Sequence, residues 1–374
     1  MNYFFTLIIY TLIILLFPFC VQFALNRKEK AQRIWFIILI SLLAAIFVGF
    51  RGQSGTDTVM YMANYEFGST SVTRWVEMEK GFILLNQVFR KFGVPVEFFF
   101  IFISFLTNFF ALLSIDKLRD YINVYVASFV YFTTIYFQSF NIIRQTLAVS
   151  ICLYAYVLFM DKKYIASVIL ILIAAQIHRT AYLCLVIIIV GILFKGRKSK
   201  WTIGIVILML LILVMHRNSF GNLVLALTHN QYYAGYILRD SGSSSSFITY
   251  YLKISPVLII SFLNWKNYRS NPKFLVLFGL MLMGYILSSL GVYTSTEVNR
   301  IGLYFTALNI IIMGYCANNN ITFDHLKILL DKRVITTLII IYFFCTMIFG
   351  IFIQKNNQIV PYRSNPSLIS NGGI

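Results

Sequence analysis

Long apolar runs, interrupted at short intervals by clusters of Lys, Arg, Asn and Gly, make up most of the chain. The runs at 3–24, 34–50, 98–115, 121–138, 142–160, 164–178, 181–194, 201–215, 248–265, 274–290, 301–317 and 334–353 predict about twelve transmembrane helices. A perpendicular span needs ~20 residues, so the shorter runs must draw their ends from polar neighbours. The runs at 121–138 and 142–160 meet in a very tight turn and read either as two spans or as a re-entrant hairpin. Downstream orientation is the same in both cases. Between the runs lies one long polar stretch, 51–97, and a second connection at 216–247 that ends in SGSSSS. Within the first, apolar and polar positions from Glu79 to Phe92 alternate at helical spacing, which predicts an interfacial helix lying flat on the membrane. Within the second, LVLALTHNQYYAGYILRD reads as a short helix running into a flexible tract.

Composition turns this pattern into a class. Only 12% of the 374 residues are charged and 59% are hydrophobic, with a mean hydropathy of +0.79. Soluble domains carry roughly 25% charged residues. The expected fold is therefore all-α, a polytopic integral membrane protein built as one transmembrane domain over 1–374. The formal charge of +18 does not call for a nucleic-acid partner, because the basic residues sit in short clusters between apolar runs, where they encode topology. The proposed inner connections hold the larger share of the 31 Lys and Arg. The run at 3–24 lacks a basic n-region and is followed by RKEK at 27–30, which argues against a cleaved signal peptide and puts the N-terminus outside. An even number of spans then puts the C-terminus outside as well. Cys20, Cys152, Cys184, Cys316 and Cys345 fall in or beside apolar runs and read as small hydrophobes.

With this topology, Arg51, Asp57, Glu79, Arg144, His178, Arg179, Arg239, Arg300 and the PYR at 361–363 share the outer face or its edge. Asn141 and Gln145 flank Arg144 there. Arginine presents a planar, charged fork that matches phosphate oxygens, so several at one membrane face predict an anionic, lipid-borne substrate. A single arginine at a helix end more often snorkels to headgroups. Arg144, Arg179 and Arg300 stand out because polar residues flank them inside span-like patterns. Asp57, Glu79 and His178 are the candidate proton acceptors. Each also has a bland alternative: an arginine salt bridge for Asp57, a helix cap for Glu79, a hydrogen-bonded helix end for His178. Tyr304 and Tyr362 could stack on sugars or simply belong to the aromatic belt. HExxH and phosphate-loop signatures are absent, so no metal or cofactor is expected.

These residues carry a family resemblance. RGQSGTDTVMYMANYE at 51–66, EKGF at 79–82, NIIRQTLAVSI at 141–151, AAQIHRTA at 174–181, NRIGLYF at 299–305 and VPYR at 360–363 resemble, in order and over nearly the whole chain, the EpsG family. These are the Wzy-like polysaccharide polymerases of bacterial capsule and exopolysaccharide systems. The first motif departs from the family's aromatic near the acid: Asp57 is followed by Thr58, with Tyr61 further on. The resemblance implies a GT-C-like membrane glycosyltransferase of the bacterial cytoplasmic membrane, acting at its outer face without nucleotide sugar. Its substrates would be oligosaccharide repeat units on undecaprenyl diphosphate. Its partners would be membrane lipids and two components of the same pathway, a chain-length regulator and a flippase. An O-antigen-ligase-like enzyme shares donor and topology and differs in acceptor. A lipid-linked oligosaccharide transporter or flippase would instead carry ionisable residues or broken helices near the midplane.

Overall fold

The computed structural model describes residues 3–52, 54–68, 78–187, 247–293, 296–323 and 328–363. The described residues are all-α apart from one small hairpin. Seven helices among the described residues are long and apolar enough to cross a membrane, and two shorter apolar ones, Tyr164–Ile177 and Tyr250–Leu263, accompany them. That is fewer than the expected twelve. The expected span at 201–215, half of that at 181–194 and nearly all of the 216–247 connection lie outside the described residues.

The chain divides into two compact units, Met1–Tyr182 with Met313–Ile374, and Leu183–Ile312. In the first, α1 (Tyr3–Leu25) and α2 (Lys30–Gly49) form a hairpin, followed by α3 (Thr58–Phe67), α4 (Lys80–Lys91) and α5 (Val96–Leu118). The next apolar run is broken. Asn123 caps α6 (Val124–Thr133) by accepting the Val126 N–H, and the backbone leaves helical geometry at Thr134 (φ −118°, ψ −87°) before the single turn α7 (Ile135–Gln138). The run nonetheless traverses the unit alongside α1. Phe132 stacks on Phe17 at 5.2 Å, and Phe137 meets Tyr10 at 4.6 Å, seven residues nearer the start of α1.

After the turn at 139–142 comes α8 (Ile143–Met160), enclosed on every side except at Tyr154 and Met160. A helix apolar all round belongs in the interior, and α8 forms the centre of this unit. Then α9 (Tyr164–Ile177) leads into a 3₁₀ turn, Arg179–Leu185. Midway along the helices, Tyr131 Oη donates to Asn108 Oδ1, and Asn108 Nδ2 donates to Ser41 O at 3.1 Å. These bonds join α2, α5 and α6, and they satisfy polar groups where no water would. At the far end, Arg33 donates to Asp116 Oδ1 (2.8 Å) and to the carbonyls of Arg27 (3.1 Å) and Lys28 (2.8 Å), tying the α1–α2 connection to α5.

The second unit contains α10 (Phe247–Leu263), α11 (Trp265–Ser270), α12 (Pro272–Tyr293), α13 (Thr296–Thr306) and the start of α14 (Asn309–Asn318). Its tightest contact passes through Gly302 of α13. A Cβ there would lie 2.0 Å from Ser288 Oγ and 2.6 Å from Gly284 O of α12, so only glycine allows the approach. The chain returns to the first unit through the end of α14, where Gly314 O accepts the Asn123 N–H at 2.8 Å. A two-stranded antiparallel hairpin follows, β1 (Ile321–Phe323) with β2 (Ile328–Leu330), pairing Ile321 with Leu330. Then α15 (Lys332–Ile348) begins at an Asp331 cap and ends in a π-helical turn, Phe349–Ile353.

Candidate functional site

One end of the first unit gathers five of the six motifs, those at 51–66, 79–82, 141–151, 174–181 and 360–363. The connection after α2, the turn before α8 and the segment 356–363 are laced together there. Gly55 N–H donates to Gln358 O (3.2 Å) and Thr56 N–H to Asn357 O (3.1 Å), while Arg363 N–H donates to Ser54 Oγ (3.0 Å). Asn141, fully buried, joins all three segments. Its Oδ1 accepts the Asp57 N–H at 2.7 Å, and its Nδ2 donates to Asn357 Oδ1 at 3.2 Å. Asp57 itself precedes α3 and makes no cap hydrogen bond with its side chain. The Thr56 hydroxyl lies 3.2 Å from Asp57 Oδ1 and 3.1 Å from Asn141 Oδ1.

Beside this lacing, Arg144 in the first turn of α8 donates through Nη1 to Glu79 Oε2 at 2.7 Å. Their side chains are 7% and 11% exposed, so this ion pair is largely removed from water. The other carboxylate oxygen, Oε1, accepts the Arg179 backbone N–H at 2.9 Å. Glu79 precedes α4 but makes no cap hydrogen bond with its side chain; it bridges α8 and the end of α9. The EKGF segment is shaped for this. A Cβ on Gly81 would meet Gln176 O at 2.6 Å and Gln176 Cβ at 2.7 Å, so glycine lets α4 lie directly against α9. Phe82 is buried, with its ring 5.7 Å from the Arg144 guanidinium carbon and 6.1 Å from the Tyr61 ring. Tyr61, one turn into α3 from Asp57, brings its hydroxyl within 3.5 Å of Arg144 Nε. A chain of contacts therefore runs from the Asp57 turn through Tyr61 and Arg144 to Glu79 and Arg179.

His178 ends α9 in extended backbone (φ −149°, ψ 111°), with Nδ1 2.7 Å from Thr180 Oγ1. The Arg179 side chain beside it is exposed, and Gln145 is buried one residue after Arg144.

Two residues expected near substrate lie deeper. Arg51 is 1% exposed; it donates to Val48 O (2.6 Å) and Thr58 Oγ1 (3.4 Å), and its guanidinium lies over the Phe100 ring at 4.6 Å. Its Nη2 is buried with no hydrogen-bond partner. Burial pushes this guanidinium down to about 10, which leaves it charged at neutral pH. Tyr362 is 8% exposed, with its hydroxyl on Phe47 O (2.9 Å) and its N–H on Thr6 Oγ1 (3.0 Å). Burial pushes its phenol up to about 12. Both side chains fasten the end of the unit together.

Arg300 and the fully buried Tyr304 belong to α13 of the second unit, and Arg239 lies outside the described residues. Reading the sequence alone missed Ser54, Thr58, Asn357, Gly81 and Phe82. The small polar run QSGTDT and the KNNQ at 355–358 were the available signals. Among the described residues, no group of three or more His, Cys, Asp or Glu is placed to hold a metal ion.

The arrangement defines a class: a multi-pass, all-α membrane protein with a polar, arginine-containing site at one end of its helices. Comparison with protein families then places the chain. It belongs to the EpsG family, the Wzy-like polysaccharide polymerases, whose family model matches residues 33–364. No curated protein and no solved structure matches it.

Proposed function

We propose that this protein is a polysaccharide polymerase that joins lipid-diphosphate-linked oligosaccharide repeat units at the outer face of the bacterial cytoplasmic membrane. The observation that carries the reading is the buried Glu79–Arg144 pair, bonded to the Arg179 backbone and set beside the Asp57 turn. Undecaprenyl diphosphate is the lipid carrier in this reading, and a GT-C-like arrangement of about twelve spans is its scaffold.

In the reaction, the acceptor hydroxyl attacks the donor's anomeric carbon. A new C–O bond forms as the bond to the diphosphate oxygen breaks, with inversion. The lipid diphosphate departs with the bonding electrons, and the hydroxyl proton passes to a protein base. Arg179, with Arg144 oriented by Glu79, stabilises the charge that grows on the leaving group. Both Glu79 oxygens already accept strong donors, which makes it an orienting group rather than a proton acceptor. Asp57 takes the proton and His178 positions the sugar. Gln145, one residue after Arg144, completes the substrate contacts within this unit.

The test is purified protein supplied with defined lipid-linked repeat units and no nucleotide sugar. Polymer ladders that disappear in Asp57→Asn by roughly 100-fold, with donor binding kept, support the scheme. Transfer to a foreign acceptor with no ladder points to a ligase instead. In intact cells, a cysteine at Gln358 should react with an impermeant thiol reagent while one at Lys162 does not. The reverse pattern overturns the assigned face.

A further inference from the structure

A cleft of about 410 Å³ opens at the same end of the first unit, walled by Tyr3, Gln354, Lys355, Gln358, Pro361 and Arg363. Its volume falls within the range of about 300–1,000 Å³ common to small-molecule sites. Its backbone is unusual. Lys355 (φ 53°), Asn357 (φ 60°) and Gln358 (φ 51°) are all left-handed, a conformation that residues other than glycine adopt rarely. Such geometry persists where the surroundings over-determine it, and it is concentrated at functional sites.

In this segment, hydrogen bonds from neighbouring elements supply that constraint. Asn357 O and Gln358 O accept the N–H groups of Thr56 and Gly55, and Asn141 holds the Asn357 amide. Farther along, Tyr10 Oη donates to Ile359 O at 2.8 Å and Ser54 Oγ accepts the Arg363 N–H. The cleft wall is thus hydrogen-bonded directly to the turn that carries Asp57. Its chemistry is specific as well. Two side-chain amides can bond hydroxyls, Pro361 offers an apolar face to sugar C–H groups, and the Tyr3 ring lies under Lys355 Nζ at 5.8 Å, holding that cation at the cleft. Lys355 and Arg363 supply two positive charges, and none of the lining residues is acidic.

We propose that this cleft binds an anionic saccharide segment of the chain being built, next to the reacting groups. This rests on the polymerase reading for its context but is measurable without it. A lipid headgroup would use the two cations and leave the Gln358 side-chain amide without a task, so the saccharide is favoured.

The experiment uses full-length protein in phosphatidylcholine nanodiscs, titrated with tetragalacturonate as acidic probe and maltotetraose as neutral probe. Tetragalacturonate should bind at least tenfold more tightly than maltotetraose. Lys355→Asn with Arg363→Gln should abolish that preference; asparagine tolerates the left-handed backbone at 355, and Arg363 uses only its main chain in the lacing. Lys355→Arg with Arg363→Lys should retain it, which shows that the fold survives substitution at both positions. Equal binding of the two probes, or an acidic preference unchanged in the neutralised variant, overturns the proposal. So does an affinity for phosphatidylglycerol nanodiscs that depends on the two cations while tetragalacturonate fails to bind. Chain extension is measured separately. Cation-dependent binding in a protein that makes no polymer leaves the cleft standing and removes the polymerase reading.

Discussion

Neutralising Glu79 isolates the largest electrostatic element of the site. Glu79→Gln keeps the shape and an acceptor for the Arg179 N–H, yet it leaves the Arg144 guanidinium, 7% exposed, beside a neutral amide. Removing one partner of a buried ion pair costs about 3–5 kcal/mol, because the surviving charge has been taken out of water without compensation. At the lower figure of about 3 kcal/mol the unfolding equilibrium shifts by roughly 150-fold. Arg144→Gln should cost a similar amount. The double variant, with no charge left to compensate, should cost only about 4 kcal/mol in total, a coupling of about 2 kcal/mol, within the range known for contacting pairs. The assay is the midpoint of SDS-induced unfolding in mixed micelles, read by tryptophan fluorescence. Stability is the right observable because chain extension would fall in all three variants under the proposed mechanism. Strict additivity of the two single changes, within about 0.5 kcal/mol, would refute the pairing and with it the assignment of Glu79 as an orienting group.

Gly81→Ala should force α4 off α9, because its methyl would need the space of Gln176 O at 2.6 Å; SDS midpoints should fall by about 1–3 kcal/mol, and an unchanged midpoint would mean the two helices are not in contact. Asn141→Ala removes the acceptor of the Asp57 N–H and the donor to Asn357; a loss of about 1–3 kcal/mol is expected, together with a drop in chain extension that a stabilising lipid mixture does not restore. Tyr362→Phe deletes only the hydroxyl on Phe47 O; about 1 kcal/mol of stability should go, while KM for lipid-linked donor stays at the parental value, and a raised KM would put this ring in contact with substrate.

The spans were legible wherever hydrocarbon alone dictates helix. Expected 3–24, 142–160 and 164–178 correspond to Tyr3–Leu25, Ile143–Met160 and Tyr164–Ile177. Ends were misjudged where charged residues continue the helix. Expected 34–50 begins at Lys30, and expected 98–115 extends from Val96 to Leu118, because backbone hydrogen bonding does not stop where apolar composition does. The break at Thr134 involves neither Gly nor Pro; its local signature is the Thr133–Thr134 pair, whose hydroxyls donate back to the Phe129 and Val130 carbonyls. Tertiary contacts hold the segment as well: it is packed against α1 and, through the Tyr136 hydroxyl, bonded to Ala44 O of α2 at 3.0 Å. The helix α3 was hidden in a stretch read only as a polar loop, since its burial is supplied by distant residues such as Phe99, stacked on Tyr65 at 5.1 Å. Of the site, the convergence of motifs at one face was readable from topology. The partnerships were not. No spacing rule brings Glu79 to Arg144 or Asn141 to Asn357.

The two buried arginines at this end divide the electrostatic work. Arg144 is matched by a carboxylate, so at a distance its charge is largely cancelled by Glu79. Arg51 has no such partner among the described residues: it rests on a carbonyl, a hydroxyl and an aromatic face, which stabilise a cation without neutralising it. A charge held this way is felt further, because the low-dielectric surroundings that make it costly also screen it least. It sits at the base of the turn whose Thr58 hydroxyl donates to Ser54 O at 2.8 Å, so the same side chain that supplies the field also braces the segment carrying Asp57. On the proposed reaction, an anionic diphosphate arriving at this end meets a positive potential from Arg51 before it touches any arginine. The exposed Arg179, with Arg144 held by Glu79, then acts on the leaving group.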